Sequence, residues 1–470
     1  MIEFILNRQK IRTELPSGTT VLDFVRYHQH LFGTKIGCRE GDCGACTVLV
    51  GSLENGDLKY QTMTSCLMPL SNAQGKHIVT IEGVNMEKLS PVQQAMVENN
   101  GTQCGFCTVG FVMSLTAFAL SENITYELAI AAFDGNICRC TGYKSIERAA
   151  YDIVQNLQSK PEKERLKWLV ETGFIPAYFL AIEAQLKELK KNRNTPENVE
   201  NKTVIVGGGT DLFVQKPEEL RREEMINFYD QPQLNQIKSK DGKCFIGAST
   251  TVTDLEKSKL MLSIFPDLKS YTKLVASTPI RNMATNAGNF INASPIGDMS
   301  IFFLALDAEI VLNNNLKKRN IKLKDFFLDY KKLDKESEEF IETIVFEIPG
   351  KNAAFNFEKV SKRTHLDIAS VNSACLMEIV DGTVIKIHLS AGGVGPIPKY
   401  LKETCAFMNG EKIDQNLIED AIKIMQQEIA PISDARGSAD YKRLLLRQLF
   451  IAHMIKFFPQ IFTPQRIAAL

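Results

Sequence analysis

No excess of either charge sign marks this sequence. Its 55 Lys and Arg are matched by 55 Asp and Glu, with no long block of one sign, so a nucleic-acid groove or an anionic membrane surface has no electrostatic support. Long apolar runs are missing too. The longest, Phe111 to Leu120, is interrupted by Ser114 and Thr116 and is too short to span a bilayer. The start, Met-Ile-Glu-Phe-Ile-Leu-Asn-Arg, carries neither a basic region nor an apolar export core, which makes the cytoplasm the expected location. The six histidines, His28, His30, His77, His365, His388 and His453, form no ligand pattern with a carboxylate, and no Ser-His-Asp arrangement or phosphate-binding P-loop is evident. Repeats and low-complexity tracts are absent. What is present is 470 residues, 44% hydrophobic and 23% charged, enough for about three or four domains with ordinary cores.

Cysteine is the exception. Of 11 cysteines, all but Cys244, Cys375 and Cys405 lie between Cys38 and Cys140. An odd count in a reducing compartment favours metal-thiolate chemistry over a disulfide framework, and the three outliers read as small buried apolar side chains.

Alternating runs at Ile2 to Leu6, Thr47 to Val50 and Ile78 to Ile81, with a helical stretch after Thr20, make residues 1–84 a small α+β unit. Ser90-Pro91 then opens a region with helical spacing at Pro91 to Asn100, Thr108 to Leu120 and Tyr126 to Asp134, so 85–160 reads as an all-α bundle. The Lys- and Glu-rich stretch from Ser159 to about Arg193 suits an exposed linker, placed at 161–175. Strands and helices alternate over 176–350, beginning at Thr203 to Val206. Over 351–470, strands at Phe355 to Val360, Ser373 to Ile379 and Val384 to Leu389 precede helices from Lys412 onward.

The first α+β unit holds Cys38-x4-Cys43-x2-Cys46 followed by Cys66, the spacing of a plant-type [2Fe-2S] site. Three thiolates on one loop demand that the backbone double back with its N–H groups aimed at sulfur, and Gly37, Gly41 and Gly44 permit such turns. Zinc is the competing ion, but its four-cysteine sites normally use paired knuckles. The bundle holds Cys104-x2-Cys107 and Cys138-x-Cys140, each pair where a helix begins. Helix N-termini suit the negative charge of four thiolates around two irons, and the bundle would keep such a cluster from bulk water. Structural zinc stays open for this quartet, while a disulfide between cysteines one residue apart is geometrically poor.

Val204-Ile-Val-Gly-Gly-Gly-Thr-Asp-Leu reads as strand, glycine turn and helix, a place where backbone N–H groups can approach a pyrophosphate. It is not a Rossmann fingerprint, because Leu212 stands at the third glycine position. A second turn follows at Met283-Ala-Thr-Asn-Ala-Gly-Asn-Phe-Ile-Asn-Ala-Ser-Pro-Ile-Gly-Asp, where Asn289, Asn292 and Asp298 offer hydrogen bonds, Asp298 to a sugar hydroxyl. Either turn alone is an ordinary loop; together in one domain they favour a ligand.

Taken in order, Gly-Asp-Cys-Gly-Ala-Cys-Thr-Val, Gln-Cys-Gly-Phe-Cys-Thr and Ile-Cys-Arg-Cys-Thr-Gly-Tyr resemble the iron–sulfur domains of the molybdenum hydroxylases, in particular the small subunit of the bacterial xanthine dehydrogenases. The resemblance extends through both glycine turns, through Phe357-Glu-Lys-Val-Ser-Lys-Arg-Thr-His-Leu-Asp-Ile-Ala and to Ala-Pro-Ile-Ser-Asp-Ala-Arg-Gly-Ser-Ala-Asp-Tyr-Lys-Arg. It implies an α+β multidomain chain with a β-grasp ferredoxin domain, an all-α [2Fe-2S] bundle domain, an α+β FAD-binding domain that is not Rossmann, and a C-terminal α+β domain. It implies that Cys38, Cys43, Cys46 and Cys66 hold one [2Fe-2S] cluster nearer the flavin, and that Cys104, Cys107, Cys138 and Cys140 hold a second nearer a molybdopterin. By the same resemblance FAD contacts Val204, Val206, Gly207, Gly208, Gly209, Thr210, Thr285, Gly288, Asn289, Asn292, Asp298 and Lys359. Lys359, at the pyrimidine edge, would favour the anionic reduced flavin; as an unassigned residue it would be a surface lysine on an edge strand.

The implied function is an electron-transfer subunit that hands electrons singly to FAD and onward to NAD+. Its partner would be a larger molybdopterin subunit, in a hetero-oligomer with no nucleic acid or membrane, and that subunit would hold the substrate site for xanthine or hypoxanthine. The alternatives are the equivalent subunit of an aldehyde or other N-heterocycle hydroxylase and, in another class, a zinc-stabilised binding scaffold.

Overall fold

The computed structural model describes residues 1–189, 204–221, 223, 225–363 and 366–462. They form two compact units, the first built from 1–189, 204–229 and 277–284 and the second from 230–276 and 285–462. His365 lies outside the described residues, as do Thr203 and the stretch from 190 to 193. Among the described residues no helix is long and apolar enough to cross a membrane.

The first unit begins with a five-stranded sheet in the order Gln9–Thr13, Ile2–Leu6, His77–Val79, Thr47–Glu54, Asp57–Thr64. Ile2–Leu6 and His77–Val79 run parallel, and every other neighbour is antiparallel. Period-2 alternation decides what covers each face. Phe4 and Leu6 point into a core with Val21, Leu22, Phe24 and Val25, supplied by the helix Val21–Asp23 and the π-turn Phe24–His28. Thr20 caps that helix by accepting the Asp23 N–H at 3.1 Å. Ile5 points the other way, into a small core with Ile182, Leu186 and Leu189. The helix Phe179–Glu188 therefore covers the back of the ferredoxin-like sheet, although the sequence reading assigns it to the flavin domain.

The bundle follows with helices Pro91–Glu98, Thr108–Leu120, Tyr126–Ala132 and Lys144–Asn156. Ser90 and Gln93 form a reciprocal capping box in front of Pro91, the arrangement that makes this start legible in sequence. The linker expected at 161–175 is corrected here. Arg165–Glu171 is a helix, and Leu169, Phe174 and Ile175 are buried in the bundle core beside Phe111, Leu115 and Ile153. Its charged residues hide an apolar face at three-residue spacing, Leu166 to Leu169, that the bundle buries.

In the second unit, a five-stranded antiparallel sheet has the order Lys318–Lys322, Glu309–Asn313, Phe340–Glu347, Lys243–Gly247, Ile237–Lys240. A four-stranded antiparallel sheet follows, Ala353–Val360, Val371–Val380, Thr383–Gly392 and Lys399–Tyr400. The helices Gln415–Glu428 and Ala439–Phe457 pack on it through Leu417, Ala421, Leu446 and Phe450. The only parallel pair outside the first sheet, among the described residues, is Val204–Val206 with Met225–Asn227, so the architecture is α+β without a Rossmann sheet.

Three histidines are locked neutral by burial. His453 lies between Asn356 (2.9 Å to Nδ1) and the Ser373 hydroxyl (3.1 Å to Nε2). Because Ser373 Oγ donates to the Ser390 carbonyl at 2.8 Å, it accepts from Nε2–H, which fixes the tautomer. Burial pushes His453 down to about 3 and His77 and His388 down to about 4. A base whose folded pKa is depressed takes its proton first in the unfolded chain. Stability is therefore fully present above about pH 6.5 and falls as pH drops toward 4, by about 2 kcal/mol per histidine at pH 5. Thermal unfolding at pH 7.5 and pH 5 should show a clear drop in midpoint at the lower pH; equal midpoints would contradict this account.

Candidate functional site

The loop carrying Cys38, Cys43 and Cys46 precedes the strand Thr47–Glu54, and Cys66 follows the strand paired with it. Adjacent strand ends thus bring the fourth thiol to the other three. The N–H groups of Glu40, Asp42 and Cys43 point at Cys38 Sγ at 3.3, 3.3 and 3.4 Å, and the Cys38 N–H points at Cys43 Sγ at 3.4 Å. Such a nest of amides accommodates negative charge. Its turns need left-handed backbone, met by Gly41 (φ 78°), Gly44 (φ 67°) and a non-glycine, Arg39 (φ 58°). At Gly37 the need is space, since a Cβ would lie 2.4 Å from Cys43 Sγ.

The thiols pair. Cys38 shares a hydrogen bond with Cys43 and Cys46 with Cys66. The bond from Cys43, helped by the loop amides and opposed by burial, brings Cys38 down to about 5; the bond from Cys66 likewise lowers buried Cys46. In each pair the shared hydrogen bond draws one thiol toward thiolate and pushes its partner up, whereas a [2Fe-2S] cluster takes all four as thiolates.

In the bundle, Cys107 is the residue before the helix Thr108–Leu120, and Cys138 and Cys140 precede the helix Lys144–Asn156. Cys104 and Cys140 place their sulfurs 3.6 Å apart, and Cys107 shares a hydrogen bond with Cys138. Cys138 Sγ accepts the Cys140 and Thr141 N–H groups at 3.4 and 3.5 Å. Burial pushes this thiol up, but the Thr141 hydroxyl and those amides outweigh it and the net shift is downward. Shielding is less complete than the sequence suggests: Cys138 is buried, yet Cys104 and Cys140 are exposed, because the loops before the helices sit at the bundle's end. Among the described residues, no three His, Cys, Asp or Glu side chains converge to hold a single ion. The donor set is two pairs per quartet, which fits two bridged irons.

The quartets are joined through backbone. The Ile137 N–H donates to the Cys43 carbonyl at 3.0 Å, linking one ligand of the first quartet to the neighbour of Cys138. Asn136 donates to the Gly44 carbonyl at 3.1 Å and accepts from Ser114 Oγ at 2.7 Å. A Cβ on Gly44 would lie 2.2 Å from the Gly135 carbonyl, and one on Gly110 would lie 2.2 Å from the Gly44 carbonyl.

The flavin candidates divide between the units. In the first, Val204 and Val206 lie on the strand Val204–Val206, and Gly207, Gly208, Gly209 and Thr210 form the turn before the short helix Leu212–Gln215. The turn also has a packing reason for its glycines. A Cβ on Gly208 would meet the Met283 carbonyl at 1.9 Å, and Gly209 (φ 83°) lies against the Leu67 carbonyl, one residue past Cys66.

In the second unit, Thr285 caps the helix Asn286–Asn292 by accepting the Gly288 N–H at 3.1 Å. Asn289 Oδ1 accepts from both the N–H and the hydroxyl of Ser300 at 3.0 Å, and Asn292 Oδ1 accepts from Lys331 at 2.8 Å. Lys359 is on an edge strand but is no surface lysine. Its side chain is 2% exposed, and Nζ donates to Asp298 Oδ2 and to the Leu274 carbonyl, both at 2.7 Å. Asn372 donates to Asp298 Oδ1 at 2.6 Å. Asp298 is thus held on both oxygens, and Lys359 arrives as half of an ion pair rather than as a lone charge. A cleft beside this pair is lined by Tyr271, Thr272, Val275, Asp298, Phe302 and Phe357. Sequence reasoning missed Asn372; the available signal is the polar pair Asn372 and Ser373 opening a strand whose next residues, Ala374 to Met377, are apolar.

Four family descriptions match the chain in order: a 2Fe-2S iron-sulfur cluster binding domain over 4–71, a [2Fe-2S] binding domain over 80–151, an FAD binding domain in molybdopterin dehydrogenase over 181–349, and a CO dehydrogenase flavoprotein C-terminal domain over 356–456. Two iron–sulfur domains and a flavin domain in one chain define an iron–sulfur flavoprotein. The four together match the small iron–sulfur/FAD subunit of the molybdenum hydroxylases. The xanthine dehydrogenase of Emericella nidulans is 28% identical over 96% of this chain and 38% of its own length, and that of Blastobotrys adeninivorans 29% over 93% and 39%. The chain therefore spans about two fifths of the length of these curated relatives. Among solved structures, carbon monoxide dehydrogenase from Hydrogenophaga pseudoflava, in a form lacking the Mo-pyranopterin moiety of its cofactor, is 25% identical with a TM-score of 0.50, covering 53% of this chain and 86% of that one. Quinoline 2-oxidoreductase from Pseudomonas putida 86 shares the fold at 20% identity and a TM-score of 0.50, covering 56% and 92%.

Proposed function

We propose that the chain is the electron-transfer subunit of a xanthine dehydrogenase-like molybdenum hydroxylase. It would receive electrons from a larger molybdopterin subunit oxidising xanthine or hypoxanthine and deliver them to NAD+. The observation that carries this reading is the two-by-two pairing of eight thiols in two quartets joined by the Cys43 carbonyl and the Ile137 N–H. Cys38, Cys43, Cys46 and Cys66 would hold one [2Fe-2S] cluster and Cys104, Cys107, Cys138 and Cys140 the other. By the family resemblance the FAD contacts would be Val204, Val206, Gly207, Gly208, Gly209, Thr210, Thr285, Gly288, Asn289, Asn292, Asp298 and Lys359. When bound, the clusters supply one-electron steps and FAD the exchange between single electrons and hydride. The loop amides hold negative charge at Cys38 and Cys138, the Cys43–Ile137 bond links the two cysteine loops, and Lys359 fixes the Asp298 carboxylate. Exposure of Cys104 and Cys140 supports a partner at that end of the bundle, as does the chain's share of its xanthine dehydrogenase relatives.

The second reading is the equivalent subunit of a related hydroxylase acting on an aldehyde or another N-heterocycle, and the likeness to carbon monoxide dehydrogenase supports it only in that the resemblance extends beyond xanthine dehydrogenases. Purification from the native host tests both. The expected preparation is brown, contains iron and FAD, brings a larger molybdenum-containing chain with it, and reduces NAD+ with xanthine. A complex oxidising an aldehyde or another N-heterocycle but not xanthine would favour the second reading. A colourless zinc protein without a partner would overturn both.

A further inference from the structure

The residue after Cys38 is the one non-glycine in the cluster loop with left-handed backbone, Arg39 at φ 58°. L-residues with a Cβ avoid that conformation unless their surroundings impose it. The three amides that reach Cys38 Sγ, those of Glu40, Asp42 and Cys43, all lie just beyond this turn, so the nest exists only while Arg39 keeps it. What imposes the turn is outside the loop. Arg39 Nη2 donates to Asp23 Oδ1 at 2.7 Å, and Nη1 reaches Oδ2 at 3.4 Å. Asp23 is itself held: its side chain is 9% exposed, its N–H is bonded to Thr20 Oγ1, and its Oδ2 accepts from Arg221 Nη2. A paired carboxylate in a rigid helical turn is a firm anchor for a planar guanidinium.

We infer that Asp23 is a positioning residue for the first iron–sulfur site, acting through Arg39 to hold the loop turn that aims three amides at Cys38 Sγ. The inference rests on the proposed reading that this quartet holds a [2Fe-2S] cluster. Amide hydrogen bonds to ligand sulfur raise a cluster's potential, and so does removal of a nearby negative charge. The two roles open to Asp23 therefore predict opposite signs. As a positioning residue, its loss slackens the nest and lowers the potential; as a mere charge, its loss raises it.

The test is a double-mutant cycle on the full chain, Asp23→Ala, Arg39→Gly and the pair, read by EPR-monitored redox titration of the plant-type cluster with the second cluster as internal reference. Glycine takes the left-handed turn without an anchor. Asp23→Ala is expected to lower the potential when Arg39 is present and, in the Arg39→Gly background, where only the lost charge acts, to leave it unchanged or raise it. Should Asp23→Ala alone fail to retain the cluster, retention in the double variant supports the inference and loss in both overturns it. A raised or unchanged potential in Asp23→Ala, or equal shifts in both backgrounds, also overturns it. Absence of a cluster signal from the wild-type chain would instead refute the functional reading beneath it.

Discussion

Cys43→Ser is expected to halve the iron content of the chain and abolish the EPR and absorption signature of one cluster while leaving the other. Cys43 shares the hydrogen bond that brings Cys38 toward thiolate, and its sulfur receives the Cys38 N–H. Serine offers a shorter, harder oxygen with a far higher pKa, a poor substitute where soft thiolates select the metal. The second quartet should survive because Cys43 reaches it through its carbonyl, bonded to the Ile137 N–H, and the substitution leaves that backbone group in place. Iron per chain and low-temperature EPR of the reduced protein check this. Loss of both signals would show that the two sites are one cooperative structure.

Lys359→Met should destabilise the second unit by about 3–5 kcal/mol, the usual consequence of stranding one partner of a buried pair. Methionine conserves most of the volume, so the cost isolates the charge. Asp298 would keep the Asn372 amide at 2.6 Å but lose its only described cationic partner. Urea unfolding should show a lower midpoint, and adding Asp298→Asn should recover most of it by removing the stranded carboxylate. Flavin content should fall in parallel if Lys359 is also a flavin contact. Unchanged stability would mean that the pair is not what holds this corner, and unchanged flavin would remove Lys359 from the list of contacts.

What the sequence revealed was local. The cysteine motifs Cys38-x4-Cys43-x2-Cys46, Cys104-x2-Cys107 and Cys138-x-Cys140, the Ser90–Gln93 capping box and the apolar alternation of Ile2 to Leu6 are each complete within one short segment, and the structure places a helix after the capping box and a strand at the alternation. What it concealed depends on partners far along the chain. The helix Arg165–Glu171 looked like a linker because the charged stretch Lys160 to Lys167 runs into it and overlaps the apolar positions that meet the bundle. Nothing near Ile182 or Leu186 announces that they cover the back of a sheet begun at Ile5. Nothing near Lys359 announces that Asp298, 61 positions away, supplies its counter-charge. The turn at Gly207 to Gly209 invited a phosphate reading, yet one of its glycines is already demanded by the carbonyl of Met283.

The contact among Gly44, Gly110 and Gly135 leaves no room for even a methyl group, and it lies on the seam between the ferredoxin-like sheet and the bundle. Chimaeras that transplant either cluster module between relatives must therefore carry this glycine trio and Asn136 as a matched set. Grafts cut at the obvious boundary near residue 84 would bring a foreign side chain into the tightest point of the seam.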